Sequence, residues 1–353
     1  MKYRLLAVSK YAETTKKIGV NIGDYIQALA SSQFYPHIDG FIDRDKELNR
    51  YDGEECKVIM NGWYMHEPMN WPPSQKIVPL FVAFHLNSVA REELLSEESI
   101  SYLKAHQPIG CRDITTMELL QQKDVDAYFS ACMTLTLGHK YQTDKKNDKT
   151  YIVDPVYDCD LSISLVLNAL IILSLHPFDI FRLLKKKRLD LQHGRNFIKK
   201  LLKTALYYKE YSRVFGRSIV MDSEYVYQDN DDYLEEYEDD FSRLKKAEEL
   251  VRMYSKARFV ITSRIHCALP CLGLDTPVVY LDRAKDSETS ACRLNGLKEL
   301  FNSVSLNNGI LSPCFETKLP IDIHNIPSNK KDWKKYALSL IDKCKAFMQD
   351  DTL

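Results

Sequence analysis

The chain has 353 residues, 45% hydrophobic and 27% charged, with 48 Lys and Arg against 49 Asp and Glu for a formal net charge of -1. This composition excludes disordered, collagen-like and coiled-coil classes for the bulk of the chain, and so even a charge balance argues against a nucleic-acid partner. Nine Cys without a CxxC pair, and an opening MKYRLLAVSK too poor in apolar residues for a secretory signal, point to a cytoplasmic chain with reduced thiols.

Short apolar, β-branched runs alternate with helical stretches along the chain, the pattern of an α/β protein with mostly parallel strands. Strands are expected at Tyr3–Val8, Lys57–Met60, Ile77–Phe84, Pro108–Cys111 and Ala127–Phe129, with helices at Gly23–Phe34, Ser96–Ala105 and Thr115–Lys123. The polar stretch Lys140–Lys149 reads as a linker. The organisation expected is therefore a first domain over residues 1–140, a second over 150–327, and a closing helix within 328–353.

The second half opens with a strand at Thr150–Val153. Its clearest unit is Leu250–Leu281, where helix, strand (Arg258–Thr262), helix (Ile265–Leu274) and strand (Pro277–Leu281) follow one another. Ligands of open α/β sheets bind at the carboxyl edge of the strands, so the loop Ser263–His266 falls where a site is expected. Near the end, Trp333, Ala337, Leu340, Ile341 and Cys344 are spaced for one helical face.

Between these lies Leu161–Phe178, eighteen residues without Asp, Glu, Lys or Arg, followed by Lys185–Arg188 (KKKR) and more basic residues over Arg195–Lys203. Two readings fit: peripheral contact of 161–203 with a membrane interface beside anionic lipid, or a buried helix hairpin with a solvated basic end. The acidic stretch Asp222–Asp240 is expected to be a solvated loop.

Residues suited to chemistry cluster at three strand ends. In Ser263-Arg264-Ile265-His266 an Arg fork suits a carboxylate or phosphate, the helix start adds free N–H groups, and His266 can serve as acid or base. The alternative is a structural ion pair. In Cys111-Arg112-Asp113, Arg112 either faces the space between the halves or pairs with Asp113. In Asn21-Ile22-Gly23-Asp24, Gly23 permits close backbone approach, and Asn21 or Asp24 either caps the helix or holds an acceptor hydroxyl, capping being the reading preferred for Asp24. Trp63 either stacks on a sugar face or belongs to the core, and His85, which follows a strand, either faces the cleft or is structural, as a lone His more often is. Cys267 and Cys271, one helical turn apart, read as packing residues, and Asp282-Arg283, after the final strand, either adds charge near the cleft or, the preferred reading, pairs at the surface.

With NIGD (Asn21–Asp24), GCRD (Gly110–Asp113), SACMTLTL (Ser130–Leu137) and TSRIHCALPCLGLDTPVVYL (Thr262–Leu281) in chain order, the sequence resembles the polysaccharide pyruvyltransferase family. The motifs cover roughly 1–137 and 240–300 but not 154–228. The resemblance implies two Rossmann-like domains facing a cleft, as in the GT-B architecture. It also implies transfer of pyruvate from phosphoenolpyruvate to two sugar hydroxyls as a ketal, in polysaccharide or lipid-linked oligosaccharide biosynthesis, with no metal or other cofactor. On that resemblance Arg112, Arg264 and His266 are the catalytic residues, joined by Ser263 and Ile265 in donor binding. Asn21, Gly23, Asp24, Trp63 and His85 fall to the acceptor. Many members carry an Asp-Pro pair where this chain has Ser130-Ala131-Cys132, which leaves Ser130 and Cys132 without an assigned role. The alternatives are a nucleotide-sugar glycosyltransferase of the same architecture, though the Glu pair of retaining enzymes is absent, and a non-catalytic polysaccharide-assembly protein.

Overall fold

Two sets of six strand segments, laid side by side in the same order, organise the chain. A computed structural model describes residues 1–8, 20–64, 67–186, 196–230, 236–283 and 292–350. In the N-terminal half, Gly40–Asp43, Lys2–Ala7, Cys56–Ile59 and Ile77–Leu80 form one four-stranded parallel sheet. Gly62–Trp63, Phe84–His85, Ile109–Cys111 and Ala127–Phe129 form a second. Segments 56–63 and 77–85 serve both sheets, and the Gly110 N–H donates to the Phe81 carbonyl at 2.9 Å across the join. The six segments thus lie side by side as second, first, third, fourth, fifth and sixth in chain order.

The C-terminal sheet repeats this order: Glu224–Val226, Thr150–Val153, Phe259–Thr262, Val278–Arg283 and Asn302–Asn307 run parallel, with Ile310–Pro313 antiparallel at the edge. In both sheets the chain reverses direction of growth between the first and third segments, where open α/β sheets bind ligands. A short antiparallel pair, Val20–Asn21 with Asp229–Asn230, ties the halves together.

Three expectations need correction. The expected strand Ile77–Phe84 is broken because Ala83 takes a left-handed φ of 53°, with its N–H bonded to Ser130 Oγ at 3.0 Å. The stretch 222–240 is not simply a solvated loop. Glu224–Val226 pairs with Thr150–Val153, and Gln228 is fully buried, because half-buried Tyr225 and Val226 give this segment strand character within the acidic composition; residues 231–235 lie outside the described residues. Nor is 161–178 a wholly buried hairpin: in the helix Ile163–Leu175 only Ala169 is buried. Lys187, Arg188 and Arg195 of the basic run lie outside the described residues.

The other elements follow local signals. Ser96 caps the helix Glu97–Ala105 by accepting from the Ser99 N–H at 3.3 Å, and Asp113 caps Ile114–Gln121 from Thr116 at 2.8 Å. The closing helix Trp333–Gln349 buries Trp333, Ala337, Leu340, Cys344 and Phe347. It lies on the N-terminal sheet, where Lys57 Nζ donates to the Phe347 carbonyl at 2.9 Å.

One apolar cluster spans the halves, joining Ile22, Tyr25 and Ile26 with Met133–Leu137 partners Met133 and Leu135 and with Cys267, Leu269 and Cys271. Burial of that much apolar surface holds the two sheets together, and Cys267 and Cys271 are packing residues, as expected. Gly138 and Gly273 permit the closest approach, since a Cβ on Gly138 would strike the Gly273 carbonyl.

Candidate active site

Strand ends from both sheets converge on a cleft of about 360 Å³. From the N-terminal half come Asn21, Asp24, Trp63 and Arg112; from the C-terminal half come Gln228, Ser263, Arg264, Ile265, His266, Tyr280, Arg283 and Arg293. Four of these side chains are guanidiniums and one is a carboxylate. The cleft is therefore built for an anion.

Arg112 follows the strand Ile109–Cys111 and is only 4% exposed. The expected alternative, a pair with Asp113, is not what the structure shows: Asp113 Oδ2 lies 2.6 Å from His85 Nδ1 instead. Arg112 Nε has no hydrogen-bond partner among the described residues. Burial pulls its pKa downward, which Asp113 partly opposes. A buried guanidinium without a bonded carboxylate is costly unless a ligand completes it.

Arg264 is held in place. Its Nε lies 3.0 Å from Asp154 Oδ2, and the Ser263 hydroxyl donates to the Asp154 carbonyl at 2.6 Å. Asp154 ends the strand Thr150–Val153 with a left-handed φ of 45° and also accepts from the Gln228 N–H at 2.9 Å. So the Arg264 ion pair and the cleft position are both real, and the pair aims the remaining guanidinium nitrogens.

His266 begins the helix Ile265–Gly273, so its N–H and that of Ile265 lie outside the intrahelical ladder. Its Nε2 is buried and without a partner among the described residues. Burial, then the charges of Arg112, Arg293, Arg264 and Arg44, push its pKa well below the ordinary 6.5. This imidazole is therefore neutral at pH 7.

On the facing side, Asn21 and not Asp24 is the helix cap: Asn21 Oδ1 accepts from the Gly23 N–H at 3.0 Å. Asp24 sits in the first turn of Ile22–Ser32 and lines the cleft. Gly23 does not line it, but a Cβ there would lie 3.2 Å from Gln228 Oε1 and 3.4 Å from His266 Cβ. Gly23 thus lets the N-terminal helix abut His266.

Trp63 is half-buried and does line the cleft. Its ring stacks on His85 with centroids 6.2 Å apart, and the Arg293 guanidinium lies 5.7 Å from its centre. His85 itself departs from expectation. It is fully buried behind Trp63, because the strand Phe84–His85 is covered on the side where Asp113 caps the next helix. Burial foremost, then Arg112, lowers its pKa to about 4, against the opposing pull of Asp113.

Ser130 and Cys132 are also buried away from the cleft. Ser130 Oγ donates to the Cys111 carbonyl at 3.0 Å, and Cys132 Sγ lies 3.2 Å from Thr134 Oγ1. Of the pair expected at the surface, Asp282 meets Lys298 at 2.8 Å, while Arg283 turns into the cleft. Sequence reasoning missed Asp154, Gln228 and Arg293. The position of Asp154 just after a recognised strand was a signal for it; Gln228 lay hidden in an acidic stretch, and Arg293 follows no motif.

The family model for polysaccharide pyruvyl transferase matches residues 21–285. The chain belongs to the polysaccharide pyruvyl transferase family. The match begins at Asn21, at the rim of the cleft, and runs through Arg112 and His266. It also spans 154–228, which the motifs left uncovered. As a member of this family the protein is a transferase of polysaccharide biosynthesis that acts on a sugar acceptor. Searches of curated proteins and of solved structures return no significant match.

Proposed function

We propose that this polysaccharide pyruvyl transferase takes pyruvate from phosphoenolpyruvate and closes it as a ketal on two hydroxyls of its sugar acceptor. The observation that carries the reading is the charge imbalance of the cleft, four guanidiniums against the one carboxylate of Asp24, with Arg112 buried and Nε unpartnered. Phosphoenolpyruvate brings a carboxylate and a phosphate, and separated Arg forks bind both in bidentate fashion. Two sheets of like order with the cleft between their carboxyl edges support a GT-B-like arrangement of two domains.

In this scheme Arg112, Arg264 and Arg293 hold the donor, and Ser263 and Ile265 shape its seat. Binding the anion offsets the guanidinium charges that add to burial in keeping His266 neutral, so His266 takes up a proton with the donor and delivers it to the methylene carbon of phosphoenolpyruvate. The C2 cation that forms is attacked by an acceptor hydroxyl, whose proton passes to Asp24. Phosphate leaves with the proton that Asp24 took up, stabilised by the guanidiniums. The second hydroxyl then attacks C2 and gives its proton to His266, which closes the ketal and restores both residues. Asn21 and the Trp63 face line the acceptor side. No step calls on a metal or other cofactor.

The test is to incubate the protein with phosphoenolpyruvate and candidate oligosaccharides and to follow phosphate release together with acceptor mass. Equimolar phosphate and a pyruvyl ketal on the acceptor support the reading; sugar transfer from a nucleotide sugar, with no phosphate from phosphoenolpyruvate, overturns it.

A further inference from the structure

The connection between the strands Thr150–Val153 and Glu224–Val226 carries a surface that the chemistry above does not use. Its first helix, Ile163–Leu175, is apolar apart from Ser164, Asn168 and Ser174. One side packs on the helix Phe197–Asp222, through Val166 and Ile172 among others. The other side bears Leu167, Leu170 and Ile171, each about half exposed, and Leu175, 67% exposed. These positions recur at helical spacing on one face. The next helix, Pro177–Leu184, continues the surface with Phe178, 89% exposed, and Phe181. A soluble helix normally turns a polar face to water, and contiguous apolar patches mark interaction sites.

The shape limits what covers this face. Among the described residues no single helix is long and apolar enough to cross a membrane, and the two helices meet at 102°. A 13-residue helix spans about 20 Å, short of the ~30 Å hydrocarbon layer. Bent at that angle, the pair suits an interface better than a straight span. Charge selects the partner. Exposed Arg182, Lys185 and Lys199 flank the apolar residues, while Asp179 is buried and bonded to Arg217 at 2.7 Å. Of the exposed carboxylates at the margins, Asp222 lies 3.5 Å from Arg182 and Asp158 lies 3.5 Å from Lys203. A second copy seated two-fold on this face would bring the same cationic rim against itself. An anionic lipid surface meets both the apolar face and the rim.

We propose that the outward face of the Ile163–Leu184 helix pair docks on an anionic membrane surface. The first helix starts at the edge of the cleft, where Asp160 N–H donates to Asn308 Oδ1 at 3.2 Å, and the pair ends at the opposite edge of the sheet, where Lys186 Nζ donates to the Met221 and Ser223 carbonyls at 3.0 and 2.8 Å, so the face lies along the flank of the second sheet. The docking claim does not rest on the pyruvyl-transfer reading.

The test is sedimentation of the full chain with vesicles of phosphatidylglycerol and phosphatidylcholine, against phosphatidylcholine alone. The expected result is binding to the anionic vesicles only, weakened at least about tenfold in Leu175→Glu/Phe178→Glu and about fivefold for each of Lys185→Glu and Lys199→Glu. Absence of binding at low salt overturns the proposal, as does a wild-type dimer that the apolar double variant dissolves. Thermal stabilisation by phosphoenolpyruvate is read on the same samples. If it is present in wild type and in the variants, the cleft is intact and a sedimentation failure counts against docking alone. If it is absent in wild type, the pyruvyl-transfer reading fails while the vesicle result still decides docking.

Discussion

Asp154 and Arg264 form the hinge-pin of the cleft: an aspartate in a left-handed backbone conformation holds a guanidinium nitrogen at 3.0 Å while receiving the Gln228 N–H on the same oxygen. Such backbone strain in a non-glycine residue persists where the surroundings over-determine it, commonly at functional sites. Asp154→Asn keeps the conformation open to the residue but removes the charge that aims Arg264. The affinity for phosphoenolpyruvate should fall about tenfold, equivalent to about 1.4 kcal/mol, with a much smaller change in melting temperature. Calorimetric titration checks it; an unchanged affinity would show that Arg264 is not a donor ligand.

Arg112 gives a prediction of opposite sign for stability and function. Replacing a buried charge by an apolar side chain of similar volume is often stabilising, by roughly 1–4 kcal/mol for buried pairs, and Arg112 lacks even a bonded carboxylate. Arg112→Met should raise the urea midpoint while abolishing turnover. A drop in the midpoint would assign Arg112 a structural role instead.

Two buried histidines set an acid limit. His85, at about 4 against 6.5 when unfolded, binds its proton only in the unfolded chain between those values. Its contribution is complete above pH 6.5 and is lost as pH falls toward 4, by about 3 kcal/mol in all, and His266 acts in the same direction. Urea unfolding of the ligand-free protein from pH 7.5 to 4.5 should show this decline, and His85→Gln should flatten it. A profile in which the wild type and variant run parallel would contradict the assignment.

How much of this was legible before folding depends on range. Helices such as Glu97–Ala105 and strands such as Ala127–Phe129 rest on local signals, and they appear where the sequence places them to within a residue. Arg112, Arg264 and His266 were also legible, because each stands at a strand end that local patterning locates. Their neighbours were not. For His85 the sequence left cleft and structural roles both open, and it is the contact with Asp113 that decides for the structural one, while Arg293 reaches Trp63 from far along the chain. The break at Ala83 depends on Ser130, a partner distant in sequence. The outward apolar face of Ile163–Leu175 has the same cause, since composition shows that the helix is apolar but not which side is packed.

Gly23 tests the contact between the halves. A methyl group there would lie 2.9 Å from Asn21 Oδ1 and near both Gln228 and His266, tighter than packed side chains tolerate. Gly23→Ala should cost about 1–3 kcal/mol of stability and reduce kcat more than it raises KM for phosphoenolpyruvate, because it displaces His266 from the acceptor side. A purely thermal effect, with kcat intact, would show that the contact supports the fold and not the chemistry.

The central claim is that the cationic cleft is a phosphoenolpyruvate site, and a thermal-shift comparison addresses it most directly. Wild type and Arg264→Ala are melted with phosphoenolpyruvate, with phosphate and with a set of nucleotide sugars. At about 100 times its dissociation constant a ligand stabilises the native state by roughly 2.7 kcal/mol. The account predicts a shift of that order with phosphoenolpyruvate in the wild type, a smaller one with phosphate, and none with phosphoenolpyruvate in Arg264→Ala. A shift with a nucleotide sugar and none with phosphoenolpyruvate would contradict it and make the cleft a glycosyl-donor site.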